Sequence, residues 1–279
     1  MSRSLLFVLA TLALPVAANA QTELALWRLD CGEILIRNIG LFTGDPSGPA
    51  EERTLTDSCY LIRHGTDLLL WDTGLPAALI GQPLSPEVMA PSLSVDLPTQ
   101  LAQIGVTPAD ITQVGISHIH FDHTAQAASF AQAELVIGAG DWQALQASPA
   151  PAWFEGTVVP ETLAPWLTGG GKVRPVEGDL DLYGDGSVMM LSMPGHTAGE
   201  TALLVNLPQT GPVLLSGDVT HFEEQLADRA VPVFNVDPAE SVVAMDRLEA
   251  VAKEHGATLI IQHDSRHIAR LPAFPEAAR

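Results

Sequence analysis

Hydrophobic and polar positions divide the chain into short apolar runs typical of β-strands, separated by turns rich in glycine, proline and acidic residues. The runs Leu24 to Leu29 and Glu33 to Ile39 predict two strands joined by a tight turn at Asp30-Cys31-Gly32. A second hairpin is predicted within Ser58 to Trp71, turning at His64-Gly65-Thr66. The chain is therefore expected to open with β-structure.

Helical signals are clear in two places. A helix is predicted to begin around Asp96 and to end at Gly105, a residue suited to a helix C-terminus. Asp237-Pro238-Ala239-Glu240 combines a capping acid with a proline at the first helical position, and it predicts a helix that runs to His255. Between and after these helices the pattern predicts further strands at 111–116, 134–138, 172–176, 179–183, 187–192, 201–206, 213–215 and 258–261.

A cluster of histidines follows one of these strands. After Ile111 to Ile116 comes Ser117-His118-Ile119-His120-Phe121-Asp122-His123, which places three imidazoles and a carboxylate within six positions. An extended backbone puts the first two rings on one side, and a turn at Phe121 brings Asp122 and His123 to join them. Imidazole nitrogen and carboxylate oxygen are ligands of zinc and related metals, so the cluster predicts a metal site rather than a solvated polar loop.

Further candidate ligands also stand where predicted strands end. His196 lies in a turn after one strand, Asp218 follows another, and His263 stands just beyond the last. Asp72 occupies a similar position, where it either forms a turn or orients a metal ligand. Because strand ends meet at an edge of a sheet, this recurrence strengthens the prediction of a metal site.

The charge balance restricts the partners. The chain has 13 basic and 33 acidic residues, a formal net charge of −20. Such an acidic surface repels nucleic acid and anionic membranes. No nucleic-acid partner and no stable membrane insertion are therefore expected, while the oligomeric state is left open.

The N-terminal residues resemble a signal peptide. A basic start, a short apolar run and a small-residue cleavage site make up residues 1–20, and residues 21–279 are expected to form one domain. The mature protein is accordingly expected to be exported, to the periplasm or the extracellular space. A retained N-terminal anchor is the alternative.

The two cysteines, Cys31 and Cys59, lie in or beside strand-like runs. An oxidising compartment would permit a disulfide between them. We favour buried free thiols, because cysteine is often buried without a partner.

The order of the candidate ligands resembles the metallo-β-lactamase superfamily. Its His-x-His-x-Asp-His signature corresponds to His118 through His123, followed in order by His196, Asp218 and His263, and the resemblance covers almost all of the mature chain. The resemblance implies an α+β fold, an αβ/βα sandwich with two mixed sheets facing each other and helices on the outer faces.

The same resemblance implies a site for two divalent metal ions, with zinc as the default metal. The implied ligands are His118, His120 and His196 for one ion, Asp122, His123 and His263 for the other, and Asp218 for both. A hydroxide shared by the ions would attack an ester carbonyl. Asp122 would also be catalytic, by protonating the leaving alcohol.

Finer features are similar to the N-acyl-homoserine lactonases, which implies a small-molecule lactone as substrate and opening of its ester ring, the reaction of quorum quenching. These features are Leu29-Asp30-Cys31-Gly32, Cys59-Tyr60-Leu61-Ile62, Trp71-Asp72-Thr73-Gly74 and Gln262-His263-Asp264. Many lactonases place a tyrosine three residues after the bridging aspartate, whereas this chain has His221. A neutral imidazole can donate the equivalent hydrogen bond to a substrate carbonyl, so His221 is predicted to be catalytic.

Three alternatives stay open at this point. The chain could hydrolyse another ester, a thioester or a β-lactam with the same site. It could be a mono-iron dioxygenase that acts on persulfides, or a protein that binds a ligand without catalysis.

Overall fold

The computed structural model describes residues 23–48 and 50–279. The predicted signal segment 1–20 lies outside the described residues. Within the described part, no helix combines the length and the apolar character needed to cross a bilayer.

Two mixed β-sheets form the framework. The first has seven strands in the order β4-β1-β2-β3-β5-β6-β7 and the second has five in the order β12-β11-β10-β9-β8. The strands are β1 (Leu24–Ile36), β2 (Arg53–His64), β3 (Asp67–Trp71), β4 (Met89–Ser92), β5 (Gln113–Ile116), β6 (Glu134–Gly138), β7 (Val173–Val176), β8 (Leu180–Asp181), β9 (Val188–Ser192), β10 (Thr201–Leu207), β11 (Gly211–Leu215) and β12 (Thr258–Ile260). Strands β3, β5, β6 and β7 run parallel, as do β11 and β12, while the other pairs are antiparallel.

The helices of the described residues are mostly short. They are α1 (Gly40–Thr43), α2 (Leu97–Gln103), α3 (Phe121–Thr124), α4 (Ala139–Gln146), α5 (Ala164–Leu167), α6 (Glu223–Asp228) and α7 (Pro238–His255). Both predicted helices are confirmed with their caps: the side chain of Asp96 accepts from Thr99 N, and that of Asp237 accepts from Ala239 N and Glu240 N. These bonds satisfy backbone N–H groups that have no partner within the helix.

Apolar side chains are buried in separate layers on the two faces of each sheet. One cluster, which includes Tyr60 and Trp71 of the first sheet and Met190 and Leu203 of the second, fills the space between the sheets. Another packs α2 and α5 against the outer face of the first sheet, and a third packs α7 against the second. The expected sandwich with helices outside is thus confirmed.

The first predicted hairpin is wrong. Instead of two strands joined by a turn, β1 is one continuous strand of 13 residues that pairs with β2 along its length. The register shifts between Asp30 and Gly32, so Cys31 is an extra residue in a β-bulge. Gly32 has φ +111°, a backbone conformation that glycine adopts readily. The residues that predicted a turn, Asp30-Cys31-Gly32, therefore form a β-bulge.

The bulge also decides the state of the cysteines. It brings Cys31 beside Cys59 of β2, with a Cα–Cα distance of 5.7 Å, and the two form a disulfide. The preference for free thiols is therefore wrong, because the pairing depends on a register that neither sequence segment reveals. Gly74 packs so closely on Cys31 that a Cβ at Gly74 would overlap the sulfur.

We expect the disulfide to contribute to stability. Replacing both cysteines by alanine should lower the free energy of unfolding by about 3 kcal/mol and Tm by roughly 10 °C, since the bond closes a loop in the unfolded chain. Thermal unfolding followed by circular dichroism measures the change. A reductant should lower the Tm of the wild type toward that of the variant and leave the variant unchanged. A wild-type Tm that is insensitive to complete reduction would contradict this expectation.

Candidate metal centre

The candidate ligands meet at one edge of the sandwich, and both sheets supply them. Asp122 and His123 lie in α3, directly after the loop that follows β5 in the first sheet. In the second sheet, His196 lies in the turn between β9 and β10, Asp218 follows β11, and His263 follows β12. The seven side chains predicted as ligands are all buried, with exposed fractions of 0–7%.

The structure brings the predicted ligands together in two groups. His118, His120, His196 and Asp218 form the first, and Asp122, His123 and His263 form the second; within each, one ligand atom per residue lies within 4.8 Å of the others. Asp218 also reaches the second group, because its Oδ1 is 3.0 Å from His263 Nε2. Asp218 thus lies in the first group and contacts the second.

The contacts in the first group fit a cation. His196 Nε2 lies 2.9 Å from His120 Nδ1 and 3.2 Å from His118 Nε2. His196 Nδ1 faces Asn235 Oδ1 at 2.9 Å, so the proton of the neutral ring is on Nδ1 and the lone pair of Nε2 points at the other rings. Converging lone pairs repel one another unless a cation lies between them, so the residues present fit a metal ion.

The second group fits a cation for the same reason. His263 Nδ1 donates to the Thr56 carbonyl at 2.7 Å, which leaves the lone pair of Nε2 facing the site. His123 Nδ1 donates to Asp72 Oδ2 at 3.1 Å. Among the described residues, His123 Nε2 and Asp218 Oδ1 are buried without a hydrogen-bond partner. Buried polar atoms of this kind are rare, and a metal ion would satisfy both.

Asp72 links the two groups from a strained backbone conformation. Its backbone has φ +60°, which is uncommon outside glycine. This conformation directs the carboxylate at His123 and at Ser117, whose N–H and hydroxyl donate to it at 2.7 and 3.0 Å. The Ser117 oxygen also lies 3.2 Å from His118 Nδ1. Asp72 therefore orients a candidate ligand, as one of the two interpretations of its sequence position expected, while residues 72–74 are irregular backbone and not a regular turn.

Two buried acids that the sequence did not single out support the ligand loops. Glu200 is fully buried; its Oε1 accepts from Asp218 N at 2.9 Å, and its Oε2 lies 3.2 Å from His118 Nδ1 without the alignment of a hydrogen bond. Asp141 accepts from Thr197 Oγ1 and Gly199 N. The signal for Glu200 was an acid four residues after His196 at the start of an apolar run, whereas Asp141 gave none.

Burial and carboxylates set the protonation of the histidines. Burial lowers the pKa of His118 well below its usual range and that of His196 to about 3. Burial acts in the same direction on His123 and His263 and is the largest single effect, but the neighbouring carboxylates, Asp218 first among them, together outweigh it. They raise the pKa of His123 well above the usual value and that of His263 to about 9. A carboxylate that stabilises a proton on these rings also stabilises a metal cation in its place.

His221 lies in the site, but its hydrogen bonds differ from the expected role. Gln225 Oε1 accepts from the His221 backbone N–H at 2.7 Å, and Gln225 Nε2 donates to the Phe42 carbonyl, which fixes the orientation of the amide. The same Oε1 lies 3.2 Å from His221 Nδ1, so the proton of the neutral ring is on Nδ1. Nε2 carries the lone pair, 3.1 Å from Asp218 Oδ2. Donation by a neutral His221 Nε2 to a substrate carbonyl is incompatible with this tautomer.

A small cavity of about 50 Å³ opens beside the ligands. Its polar end is formed by His120, Asp122, Asp218, His221 and His263. Its apolar walls are Ile34, Phe42, Leu55, Met89, Phe121 and Phe234. The aromatic residues of the 149–171 loop are placed differently: Phe154 and Trp166 are buried in the core of the first sheet, and Trp153 packs partly against it. Phe154 and Trp166 are therefore core residues, and it is Gly156 and Thr157 of this loop that line the cavity.

A separate cluster has the composition of a metal site but is paired with arginine side chains. It consists of Glu223, Asp264 and His267. Arg266 pairs with Asp264 at 2.6 Å, and Arg270 pairs with Glu223 at 2.6 Å. His267 Nδ1 accepts from a backbone N–H, and its Nε2 contacts Glu223. Guanidinium groups already neutralise these acids, so the cluster is an ion-pair network.

Comparison with known proteins agrees with this geometry. Residues 53–263 match the family model of the metallo-beta-lactamase superfamily. The chain is 29% identical over 192 residues to the N-acyl homoserine lactonase AttM of Rhizobium radiobacter, an alignment that covers 63% of this chain and 67% of that protein. It is 26% identical over 236 residues to an N-acyl homoserine lactonase of Bacillus sp, covering 82% and 89% of the two chains.

Solved structures share the fold. An N-acyl homoserine lactone hydrolase with the product N-hexanoyl-L-homoserine at its catalytic metal centre superposes with a TM-score of 0.75 at 21% identity, covering 91% of this chain and 98% of that one. The dizinc quorum-quenching lactonase AidC gives a TM-score of 0.66 at 17% identity, with coverages of 91% and 90%. At these identities the likeness establishes the architecture.

Proposed function

Because this chain belongs to the metallo-beta-lactamase superfamily, we propose that it is a dinuclear metal-dependent hydrolase that opens the ester ring of N-acyl-homoserine lactones. The observation that carries the proposal is the cavity, whose apolar walls lead to a polar end beside both candidate ion sites. An N-acyl-homoserine lactone matches this cavity, because its apolar acyl tail is joined to a polar lactone ring. The lactonase relatives support the choice of substrate.

The ions would be held by the two groups described above, with zinc as the default metal because imidazole and carboxylate suit it. When bound, two divalent ions supply Lewis acidity, which polarises an ester carbonyl and makes water a stronger acid. The protein holds the ligand side chains in fixed orientations. The Nδ1 atoms of His123, His196 and His263 are each held by an oxygen acceptor, which fixes the direction of the ring lone pairs.

Asp122 is the group that we propose to move the proton. It lines the cavity and is 7% exposed, and its Oδ2 is 3.8 Å from both His123 Nε2 and His263 Nε2. Water adds to the lactone carbonyl carbon while Asp122 accepts a proton from it. As the bond from that carbon to the ring oxygen breaks, Asp122 gives the proton to the leaving oxygen. The product is a hydroxy acid, which ionises and releases one proton at neutral pH.

A panel of substrates tests the reaction. Proton release should follow ring opening of N-butanoyl-, N-hexanoyl- and N-decanoyl-homoserine lactone. Each methylene that the apolar walls bury should raise kcat/KM by up to about fourfold. A thioester and a chromogenic β-lactam are the comparison substrates. Turnover of either of these without turnover of any lactone would contradict the proposal, and oxygen uptake with a persulfide would indicate a different enzyme class.

We also propose that the protein is exported to the periplasm or beyond the cell. The Cys31–Cys59 disulfide supports this, since such bonds persist in oxidising compartments and are rare in a reducing cytosol.

A further inference from the structure

The ring of His221 is placed as the rings of the candidate metal ligands are. It is 2% exposed and stacks on His263, with ring centroids 5.4 Å apart and planes 11° from parallel. Its Nε2 lies 3.1 Å from Asp218 Oδ2, and His263 Nε2 lies 3.2 Å from the same oxygen. His221 Nε2 is therefore as close to the Asp218 carboxylate as is Nε2 of His263, a predicted ligand.

The outer side of the ring gives an independent observation. A metal-binding histidine almost always donates its other N–H to an oxygen acceptor. His123, His196 and His263 do so through Nδ1, and His221 does the same toward Gln225 Oε1. The buried His267 is the contrast, because its Nδ1 accepts a hydrogen bond and its Nε2 faces a carboxylate. The tautomer of His221 is thus the one that suits a ligand.

We propose that His221 binds a metal ion through Nε2, together with Asp218 and His263. One ligand atom from each of these three residues lies within 4.8 Å of the others. Ligand atoms of one tetrahedral zinc ion are roughly 3.3 Å apart. Nε2 of His221 and Nε2 of His263 each lie 3.0–3.2 Å from the Asp218 carboxylate, so each pairing with Asp218 fits a shared ion. The inference rests on the two-ion site of the proposed function and adds a ligand to it.

A consequence concerns Asp122. Its carboxylate stands 3.8 Å from His263 Nε2, farther than the Asp218 carboxylate, and it lines the cavity. With His221 as a ligand, an ion held by His221, His263 and Asp218 does not require Asp122. Asp122 is then free for the substrate, which is what its proposed role in proton transfer requires. His221 accordingly matters more than Asp122 for holding the second ion.

Nuclear magnetic resonance of the full-length mature protein loaded with ¹¹³Cd tests the ligand directly. With ¹⁵N-labelled histidine, we expect couplings from cadmium to six histidine rings: His118, His120, His123, His196, His221 and His263. The His221→Gln variant should show five. Five couplings in the wild type, with a proton on Nε2 of His221, would overturn the proposal and make this ring a hydrogen-bond donor. The count needs no substrate, so it is independent of whether the protein hydrolyses lactones.

Metal affinity provides a second measurement. His221→Gln should weaken binding of the second zinc ion by roughly 10- to 100-fold or more in competition with a chelating dye. Asp122→Asn should retain two ions per chain under the same conditions. His64→Gln is the control, because His64 pairs with Asp185 away from the site. Loss of an ion from Asp122→Asn, with both retained by His221→Gln, would overturn the proposal.

Discussion

Asp218→Asn should lower lactone hydrolysis by roughly 10³-fold or more, because metal ions contribute several kcal/mol to such reactions and each 1.36 kcal/mol is a factor of ten. Asp218 belongs to the first ligand group and contacts His263 and His123 of the second at 3.0 and 3.4 Å. It is 3% exposed, so an amide there removes a buried negative charge from between the two proposed ion sites. Steady-state rates and the zinc content per chain measure the effect.

The control for Asp218 is Asp246→Asn, which makes the same chemical change on the exposed face of α7. A chelator should abolish activity in the wild type and in this control, and added zinc should restore both. Asp218→Asn should not recover at the same zinc concentration. Full zinc content and a wild-type rate in Asp218→Asn would contradict the two-ion site.

Asp122→Asn should lower kcat by about 10²- to 10⁴-fold, the usual contribution of a positioned acid or base. Asparagine has nearly the shape of aspartate but cannot carry the proton to the leaving oxygen. The size of the loss should depend on the alcohol that leaves. A homoserine lactone releases a basic alkoxide that needs a proton, whereas a 4-nitrophenyl ester releases a phenolate that does not.

Comparison of the two substrates therefore separates proton transfer from metal binding. We expect the loss in Asp122→Asn to shrink by about tenfold or more on the 4-nitrophenyl ester. Equal losses on both substrates, together with loss of zinc, would show that Asp122 acts as a ligand and not as an acid. If Asp122→Asn hydrolysed the lactone at the wild-type rate, Asp122 would be neither an acid nor a ligand.

The sequence predicted the fold where local signals are sufficient. The caps at Asp96 and Asp237 set two helices, because a capping side chain and its helix lie within three residues of each other. The bulge at Cys31 shows the limit, since Asp30-Cys31-Gly32 is compatible with a turn or with an extra residue in a long strand. The disulfide depends on the pairing of β1 with β2 at that bulge, which is a property of two distant segments.

Within the candidate site, too, some residues could be predicted from the sequence and others could not. The residues predicted as ligands were recognisable because each follows a strand or stands in the histidine cluster. Among the groups that orient histidines, Asp72 was recognisable because it also follows a strand. Asn235 and Gln225 were not, because they belong to no motif and act through hydrogen bonds across 39 and 4 positions of sequence. The tautomer of His221 depends on one of these, so its predicted role as a neutral donor could not be tested without the positions of neighbouring atoms.

Both sheets of the sandwich supply ligands, so separating the sheets also releases the ions. With ions bound at the proposed site, folding and ion binding would form one linked equilibrium. Each tenfold rise in free metal above its dissociation constant adds about 1.4 kcal/mol per ion to the stability of the folded chain. Where zinc is scarce, a larger share of the chains would be unfolded and exposed to proteases, and the amount of enzyme would follow the metal supply of its surroundings.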